Sequence, residues 1–189
     1  MVLTTLIGYL VLVGFLFTEG RIRSGQEAKS YKAGHFDKQT TKFLDFAYFV
    51  SILTLLAVWL LKLIGIGALP AWISWLGIVL ALLGPFIRWW ANRVLGAFYT
   101  RMLKVAENQV IVQEGLYRII RHPGYLGSIL MWGGVAAATA NWIVLVIVSI
   151  VMISAYTYRI ENEEKMLVTT LADYSEYRSH TRRLIPFIF

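Results

Sequence analysis

The chain has 189 residues, of which 58% are hydrophobic and 14% aromatic, and its formal net charge is +7. A soluble domain averages roughly 45–50% apolar residues, and the excess here lies in long uncharged blocks, which indicates a single polytopic membrane domain. The absence of cysteine excludes a disulfide framework, a thiolate metal site and a cysteine nucleophile. Because cytoplasmic loops of membrane proteins are rich in Lys and Arg, the positive charge predicts no nucleic-acid partner.

The first half of the chain predicts three membrane spans. The uncharged residues Met1 to Thr18 would form a helix of about 27 Å, and Phe46 to Leu61 and Ala71 to Ile87 form two more uncharged blocks. A basic loop, Glu19 to Lys42, follows the first span and is expected either to lie against lipid headgroups or to form part of a substrate entrance. The glycines and proline of Gly65 to Pro70 predict a short turn between the second and third spans.

A helical hairpin is predicted in the second half. No charged residue occurs from Gly124 to Tyr158, and one helix of that length would measure about 52 Å, against a hydrocarbon core of about 30 Å. We therefore expect two helices, Tyr125–Ala140 and Trp142–Glu164, that turn near Asn141. Their backbones are expected to approach closely through the small residues Gly133, Gly134, Ala136, Ala137 and Ala138. Pro123 is expected to start the first of them, because proline is favoured in the first turn of a helix.

The five predicted spans carry their charges asymmetrically. Of the 18 Lys and Arg residues, all but Lys62 would lie on one side of the membrane. This asymmetry predicts an outside N-terminus and a cytoplasmic C-terminus. The hairpin would bring His122 and Glu163 to the same cytoplasmic face, where we expect a pocket. Residues Glu161 to Phe189 are expected to form one amphipathic helix near the membrane surface.

Polar residues at the two ends of the hairpin are the candidates for chemistry, and each has a plain alternative. Arg121 and His122 could anchor a helix end to headgroups. Arg159 could do the same, or could hold a carboxylate through a bidentate contact. The acidic group Glu161 to Glu164 could be a solvated helix end, or could bind an ammonium, a sulfonium or a metal. Since His122 is the one obvious additional metal ligand, no metal site is predicted.

Three motifs occur within residues 109–187. They are Arg121-His122-Pro123-Gly124-Tyr125-Leu126-Gly127, Arg159-x-x-x-Glu163-Glu164-x-x-Leu167 and Tyr174-x-x-Tyr177-x-x-x-Thr181-x-Arg183-x-Ile185-Pro186. In order and spacing these motifs resemble the isoprenylcysteine carboxyl methyltransferase family. A further segment, Val110-Ile111-Val112-x-x-Gly115-x-Tyr117, also fits the family, and its β-branched run is strand-like. The Arg-His-Pro-x-Tyr element is shared with phospholipid N-methyltransferases and some integral-membrane sterol reductases.

The resemblance implies an all-α, integral-membrane enzyme that uses S-adenosylmethionine to methylate the carboxylate of an isoprenylcysteine-like or other lipophilic substrate. It divides the domain into N-terminal spans, 1–108, and a cofactor-binding catalytic core, 109–189. Arg159 matches the position associated with the substrate carboxylate, and so is the expected catalytic and substrate-binding residue. The expected cofactor-binding residues are Gln109, Val110, Ile111, Val112, Tyr117, His122, Pro123, Gly124, Tyr125, Glu163 and Glu164.

Two other functions remain open from the sequence. One is N-methylation of a phospholipid or small amine, which would require a base such as Glu164 to take the departing proton. The other is a membrane protein that retains only the scaffold, such as a reductase-like relative. In each case the expected partners are membrane lipid and a lipophilic or prenylated substrate. The expected membrane is the inner membrane of a prokaryote or the endoplasmic reticulum of a eukaryote, and the sequence does not determine the oligomeric state.

Overall fold

The structure is a computed structural model that describes residues 2–21, 37, 39–96 and 110–185. These ranges are all-α, as predicted, and the β-structure within them is limited to two isolated bridges. The helices are α1 (Val2–Arg21), α2 (Thr40–Leu63), α3 (Ala71–Leu95), a 3₁₀ turn (Gly115–Arg118), α4 (Pro123–Ala138), α5 (Trp142–Thr170) and α6 (Tyr174–His180).

Three helices, α2, α3 and α5, are long and apolar enough to cross a bilayer. The apolar part of α1, Val2–Thr18, is shorter. Helix α4 has 16 residues, which corresponds to about 24 Å. The predicted second and third spans are helices of membrane-spanning length, and both helices extend beyond the uncharged blocks that marked them. Helix α3 continues through Pro85 to Leu95.

Helix α4 packs directly against α3 through glycine. Gly77 and Gly84 on α3 have the same seven-residue spacing as Gly127 and Gly134 on α4. A Cβ added to any of the four would come within 3.0 Å of backbone atoms of the facing helix. The small residues were predicted to allow close approach of α4 to α5. For Gly134 this was wrong, because the side of Gly134 that lacks a side chain packs against the backbone of α3.

The predicted turn at Asn141 is confirmed, and it is held by side-chain and backbone hydrogen bonds. The Asn141 carboxamide oxygen caps α5 by accepting from the backbone N–H groups of Ile143 and Val144, at 3.0 and 3.3 Å. Its Nδ2 donates to the Ile66 carbonyl at 2.8 Å. Gly67 accepts from the Trp142 N–H at 2.8 Å. The turn between α2 and α3 is therefore joined to the turn between α4 and α5, which holds the two helix pairs together at this end.

The C-terminal part differs from the single helix that was predicted for Glu161 to Phe189. Helix α5 extends without a break to Thr170, and α6 begins only at Tyr174. After α6 the chain is extended, and Arg182 pairs with Ile120 in a parallel bridge. The C-terminal segment 181–185 thus lies beside the residues that lead into α4. The reason is tertiary: backbone groups of 119–122 are available for pairing before the helix begins.

Candidate functional site

The site begins at the N-terminus of α4. Pro123 is its first residue, as predicted, because proline needs no hydrogen bond there and its φ suits a helix. His122 precedes the helix with φ −124° and ψ 55°, outside the α region that a residue before proline avoids. The His122 backbone N–H donates to the Arg183 carbonyl at 3.1 Å, so the C-terminal segment fixes this entry.

A chain of three polar side chains joins α4 to α5. The Tyr125 hydroxyl donates to Glu163 Oε2 at 2.6 Å and accepts from Arg159 Nε at 2.9 Å. Arg159 and Glu163 lie one helical turn apart on α5, and this places both on the face that meets Tyr125. Arg159 is 3% exposed, whereas the Glu163 side chain is 23% exposed. The hairpin therefore brings a buried cation and a partly accessible anion together on one phenol.

His122 completes this group. Its ring stacks on Tyr125, with centroids 5.5 Å apart and an angle of 8° between the planes. Its Nδ1 lies 3.9 Å from Glu163 Oε2, and its Nε2 lies 3.4 Å from Glu164 Oε1. The second distance permits an ionic contact, but Nε2 is buried without a well-oriented hydrogen bond to any described residue. His122, Tyr125, Arg159 and Glu163 are called the hairpin site below.

Glu164 lies behind the hairpin site and is enclosed by arginines. It is 3% exposed; Oε1 accepts from Arg121 Nε at 2.7 Å, and Oε2 accepts from Arg183 Nε at 3.1 Å. The Arg121 guanidinium also donates to the Thr181 and Arg178 carbonyls. Arg121 and Glu164 thus hold the C-terminal segment against α5. The cofactor-binding role of Glu164 stays a prediction, and its observed contacts are with protein cations.

The segment before α4 is irregular rather than strand-like in its described part. Val110 is 62% exposed, while Ile111 packs on a cluster formed by Met166, Leu167, Tyr174 and Tyr177. This segment leads into the 3₁₀ turn, Gly115–Arg118, in which Gly115 adopts a φ of +56°. The predicted cofactor-binding residue Gln109 lies outside the described residues. Val112 is described and partly buried.

Three tyrosines anchor this segment next to the end of α5. Tyr117 is buried, and its carbonyl accepts from the Tyr177 hydroxyl at 2.7 Å. Burial raises the pKa of Tyr177 to about 12, although the Arg121 charge opposes the shift. Burial, together with the negative charges of Glu163 and Glu164, also raises the pKa of Tyr174 well above its ordinary value. Both phenols therefore stay protonated at neutral pH.

Two polar residues that were not predicted for the site also meet the start of α4. Arg88 on α3 is 7% exposed, and its Nη1 donates to the Gly124 carbonyl at 3.0 Å. Asn92, one turn later, is buried, and its Nδ2 has no hydrogen-bond partner among the described residues. The four-residue spacing of Arg88 and Asn92, which places both on one face of α3, was the available signal.

Arg159 has further partners in the N-terminal half of the chain. Its Nη1 donates to the hydroxyls of Thr40 and Thr41, at 3.3 and 3.1 Å. Both threonines stand in the first turn of α2, and both are buried. The sequence contained no local signal for this contact, because 118 or more positions separate Arg159 from either threonine.

Comparison with known proteins assigns the chain to a family. A profile of the isoprenylcysteine carboxyl methyltransferase (ICMT) family matches residues 75–169, half of the chain. The chain belongs to this family. The matched range includes His122, α4 and almost all of α5, and therefore every residue of the hairpin site. With three helices of membrane-spanning length, this membership indicates an integral membrane protein.

Curated relatives from the ICMT family match a share of this chain that is comparable to the share matched by the family profile. Over 120 residues the chain is 30% identical to protein-S-isoprenylcysteine O-methyltransferase B of Arabidopsis thaliana, covering 62% of this chain and 61% of that relative. It is 34% identical over 116 residues to the Saccharomyces cerevisiae protein-S-isoprenylcysteine O-methyltransferase, covering 60% of this chain and 48% of that relative. The match thus spans less than two thirds of either relative's length.

A solved structure has the same fold. It is that of the eukaryotic intramembrane Ras methyltransferase ICMT, with a TM-score of 0.66 and 22% sequence identity. The likeness covers 75% of this chain and 52% of that one. At this identity the likeness establishes the ICMT fold of the chain, and the roles of individual residues follow from their own geometry.

Proposed function

We propose that this protein is an S-adenosylmethionine-dependent methyltransferase that methylates the carboxylate of an isoprenylcysteine or a similar lipophilic acceptor. The observation that carries the proposal is the chain Arg159–Tyr125–Glu163. It joins a buried guanidinium to a partly exposed carboxylate in the part of the molecule that matches the ICMT family. Such a pair offers one group for an anionic acceptor and another for a cationic cofactor.

The residues present fit the cofactor. S-adenosylmethionine, when bound, supplies an electrophilic methyl group on a sulfonium. Glu163 would accept from its ammonium or hydroxyl groups, because its side chain is 23% exposed and its Oε2 is already oriented by Tyr125. His122, whose ring stacks on Tyr125 and whose Nδ1 lies 3.9 Å from Glu163 Oε2, is proposed to line the same pocket. Residues 110–112, Tyr117, Pro123 and Gly124 are proposed to line the rest of this pocket.

Arg159 is proposed to bind the acceptor carboxylate. A carboxylate is already nucleophilic, so transfer of a methyl group to it needs no general base. The protein's contribution is then to hold the acceptor in line, to exclude water and to stabilise charge. Arg159 suits this role because its position is set from both sides, by Tyr125 at Nε and by α2 at Nη1.

The proposed membrane arrangement has five spans in one methyltransferase domain. Helices α1 and α4 would cross together with α2, α3 and α5, with the N-terminus outside and the hairpin site and C-terminus at the cytoplasmic face. Residues 1–108 would supply the N-terminal spans and 109–189 the catalytic core. The lipophilic or prenylated acceptor would enter from the surrounding lipid. In this arrangement Lys62 alone among the 18 Lys and Arg residues would lie outside, which agrees with the enrichment of basic residues in cytoplasmic loops.

The state of Glu164 argues against an amine acceptor. N-methylation would require a base to take a proton, and Glu164 was the candidate. Both of its oxygens accept from arginine, and its exposed fraction is 3%. A carboxylate paired in this way is a poor base, because protonation would break two charge-assisted hydrogen bonds. The geometry therefore favours the carboxylate acceptor.

The test uses the full chain purified in detergent. Calorimetric titration with S-adenosylhomocysteine should show binding, and N-acetyl-S-farnesylcysteine should accept a labelled methyl group as a base-labile ester. The matched control acceptor is the same compound with its carboxyl converted to an amide, which should accept none. Absence of cofactor binding would refute the methyltransferase proposal. Methylation of phosphatidylethanolamine but not of the acid would refute the carboxylate acceptor.

A further inference from the structure

Asp37 and the first turn of α2 form a polar network that ends on Arg159. Asp37 is 5% exposed, and its Oδ1 accepts from the hydroxyls of Thr40 and Thr41, at 2.5 and 3.1 Å. It also accepts from the Thr41 backbone N–H at 3.3 Å. These three residues are called the α2 network. They lie outside the residues that the ICMT profile matches.

The hydrogen bonds of the α2 network have one direction. An ionised carboxylate can only accept, so each threonine hydroxyl must give its single proton to Asp37. The hydroxyl oxygens then present lone pairs to the Arg159 Nη1, which donates to both. Asp37 therefore orients the acceptors that Arg159 uses, although no hydrogen bond between Asp37 and Arg159 themselves is needed for this effect.

Electrostatics explains why a carboxylate is needed at this place. The N-terminus of α2 carries the positive end of a helix dipole, equivalent to about half an elementary charge. A guanidinium beside it would be repelled. Asp37 compensates for both positive charges, and as a simple helix cap it would need to bond only the backbone N–H groups. The additional bonds through two hydroxyls to α5 go beyond what capping requires.

We infer that Asp37, Thr40 and Thr41 are positioning residues that orient the guanidinium of Arg159 toward the acceptor carboxylate. This inference rests on the proposed function, in which Arg159 binds that carboxylate. It makes the N-terminal half of the chain part of the active centre. Acceptor binding and methyl transfer should therefore depend on α2, whereas cofactor affinity should not.

The experiment replaces the hydroxyls and keeps the side-chain volume. In the double variant Thr40→Val/Thr41→Val we expect the KM for N-acetyl-S-farnesylcysteine to rise about tenfold, with S-adenosylhomocysteine affinity within twofold of the unchanged chain. Thr40→Ser/Thr41→Ser retains the hydroxyls and should restore most of the acceptor KM. The control is Thr54→Val on the same helix, where the lost hydroxyl donates only to its own helix, at the Val50 carbonyl.

Two results would overturn the inference. One is an acceptor KM within twofold of the unchanged chain in the double valine variant. The other is a serine variant that is impaired as much as the valine variant, because the hydroxyls would then not be responsible. A failure of the proposed function is recognised separately, since the unchanged chain would then methylate no acid.

In that event NMR still tests the network itself. The ¹⁵Nη1–¹H signals of Arg159, whose nitrogen donates to both threonine hydroxyls, should exchange with water faster in the double valine variant than in the unchanged chain. Equal exchange rates would overturn the network as the element that holds Arg159.

Discussion

Glu163 offers the sharpest test of the cofactor contact. Its Oε2 accepts from the Tyr125 hydroxyl at 2.6 Å, and the exposed quarter of its side chain leaves room for a ligand. Glu163→Gln preserves size and shape and leaves an amide oxygen for Tyr125. The substitution therefore removes the negative charge with little disturbance of the packing. Any loss of affinity then reports the charge.

The expected loss follows from the strength of charged hydrogen bonds. A hydrogen bond to a charged group contributes about 1.5–3 kcal/mol, and the remaining solvent exposure of Glu163 favours the lower end. A loss of about 1.5–2 kcal/mol corresponds to a roughly 12- to 30-fold higher Kd for S-adenosylhomocysteine. Acceptor KM should change less, because the acceptor is assigned to Arg159.

Isothermal titration of the two chains in the same detergent measures this difference. Glu161→Gln is the matched control: it makes the same charge change two residues earlier on α5, at an exposed side chain. Its Kd should stay within twofold. If Glu163→Gln binds S-adenosylhomocysteine as tightly as that control, Glu163 does not contact the cofactor, and the assignment of the pocket to this face of α5 is wrong.

Three further predictions concern the acceptor, the packing and the alkaline limit. Arg159→Ala should reduce methyl transfer at least 100-fold, because a charged hydrogen-bond donor is lost, with the Kd for S-adenosylhomocysteine changed less than threefold. Gly127→Ala should lower stability by about 1–3 kcal/mol in detergent melting curves, because the added Cβ meets the backbone of α3. At Gly133, where a Cβ meets no atom within 4 Å, alanine should be neutral or stabilising. The raised pKa of Tyr177, about 12, predicts that stability falls between about pH 10 and 12, where the unfolded phenol ionises and the folded one does not. Tyr177→Phe should flatten that fall in alkaline denaturation curves.

Each of these has a contrary outcome. Full activity of Arg159→Ala would remove Arg159 from the acceptor site. Equal melting temperatures for the alanine variants at Gly127 and Gly133 would contradict direct contact of α3 with α4. An alkaline stability profile that is the same with and without the Tyr177 hydroxyl would show that other groups set the alkaline limit.

The sequence was most informative where local chemistry decides the structure. The apolar run after Pro123 is too long for one crossing, so a turn was required, and Asn141 was the available cap. Pro123 starts α4 because the first turn of a helix leaves its N–H groups unpaired, and proline has no N–H to leave unpaired. The spacing of Arg159 and Glu163 placed them on one face of a helix. Their membership of a recognisable motif then predicted the family, which the comparisons confirmed.

Contacts between segments that are distant in the sequence could not be predicted from it. The prediction of one C-terminal helix failed because the bridge between Ile120 and Arg182 joins segments about sixty residues apart. The cofactor-binding role of Glu164 stays a prediction, and the contacts of its oxygens with Arg121 and Arg183 could not be predicted from the sequence. Adjacent carboxylates on a helix point in different directions, and only the position of the neighbouring elements decides which of them is enclosed.

The amino-acid sequence by itself determined the class of the protein, the hairpin and the identity of the residues at its two ends. These follow from hydrophobic length, proline geometry and helical spacing, which act within one segment. The tertiary structure decided how those residues are connected: Tyr125 joins Arg159 to Glu163, and Thr40 and Thr41 reach Arg159 from α2. Such hydrogen bonds depend on how helices pack and which rotamers they allow, so they exist only once the whole bundle has formed.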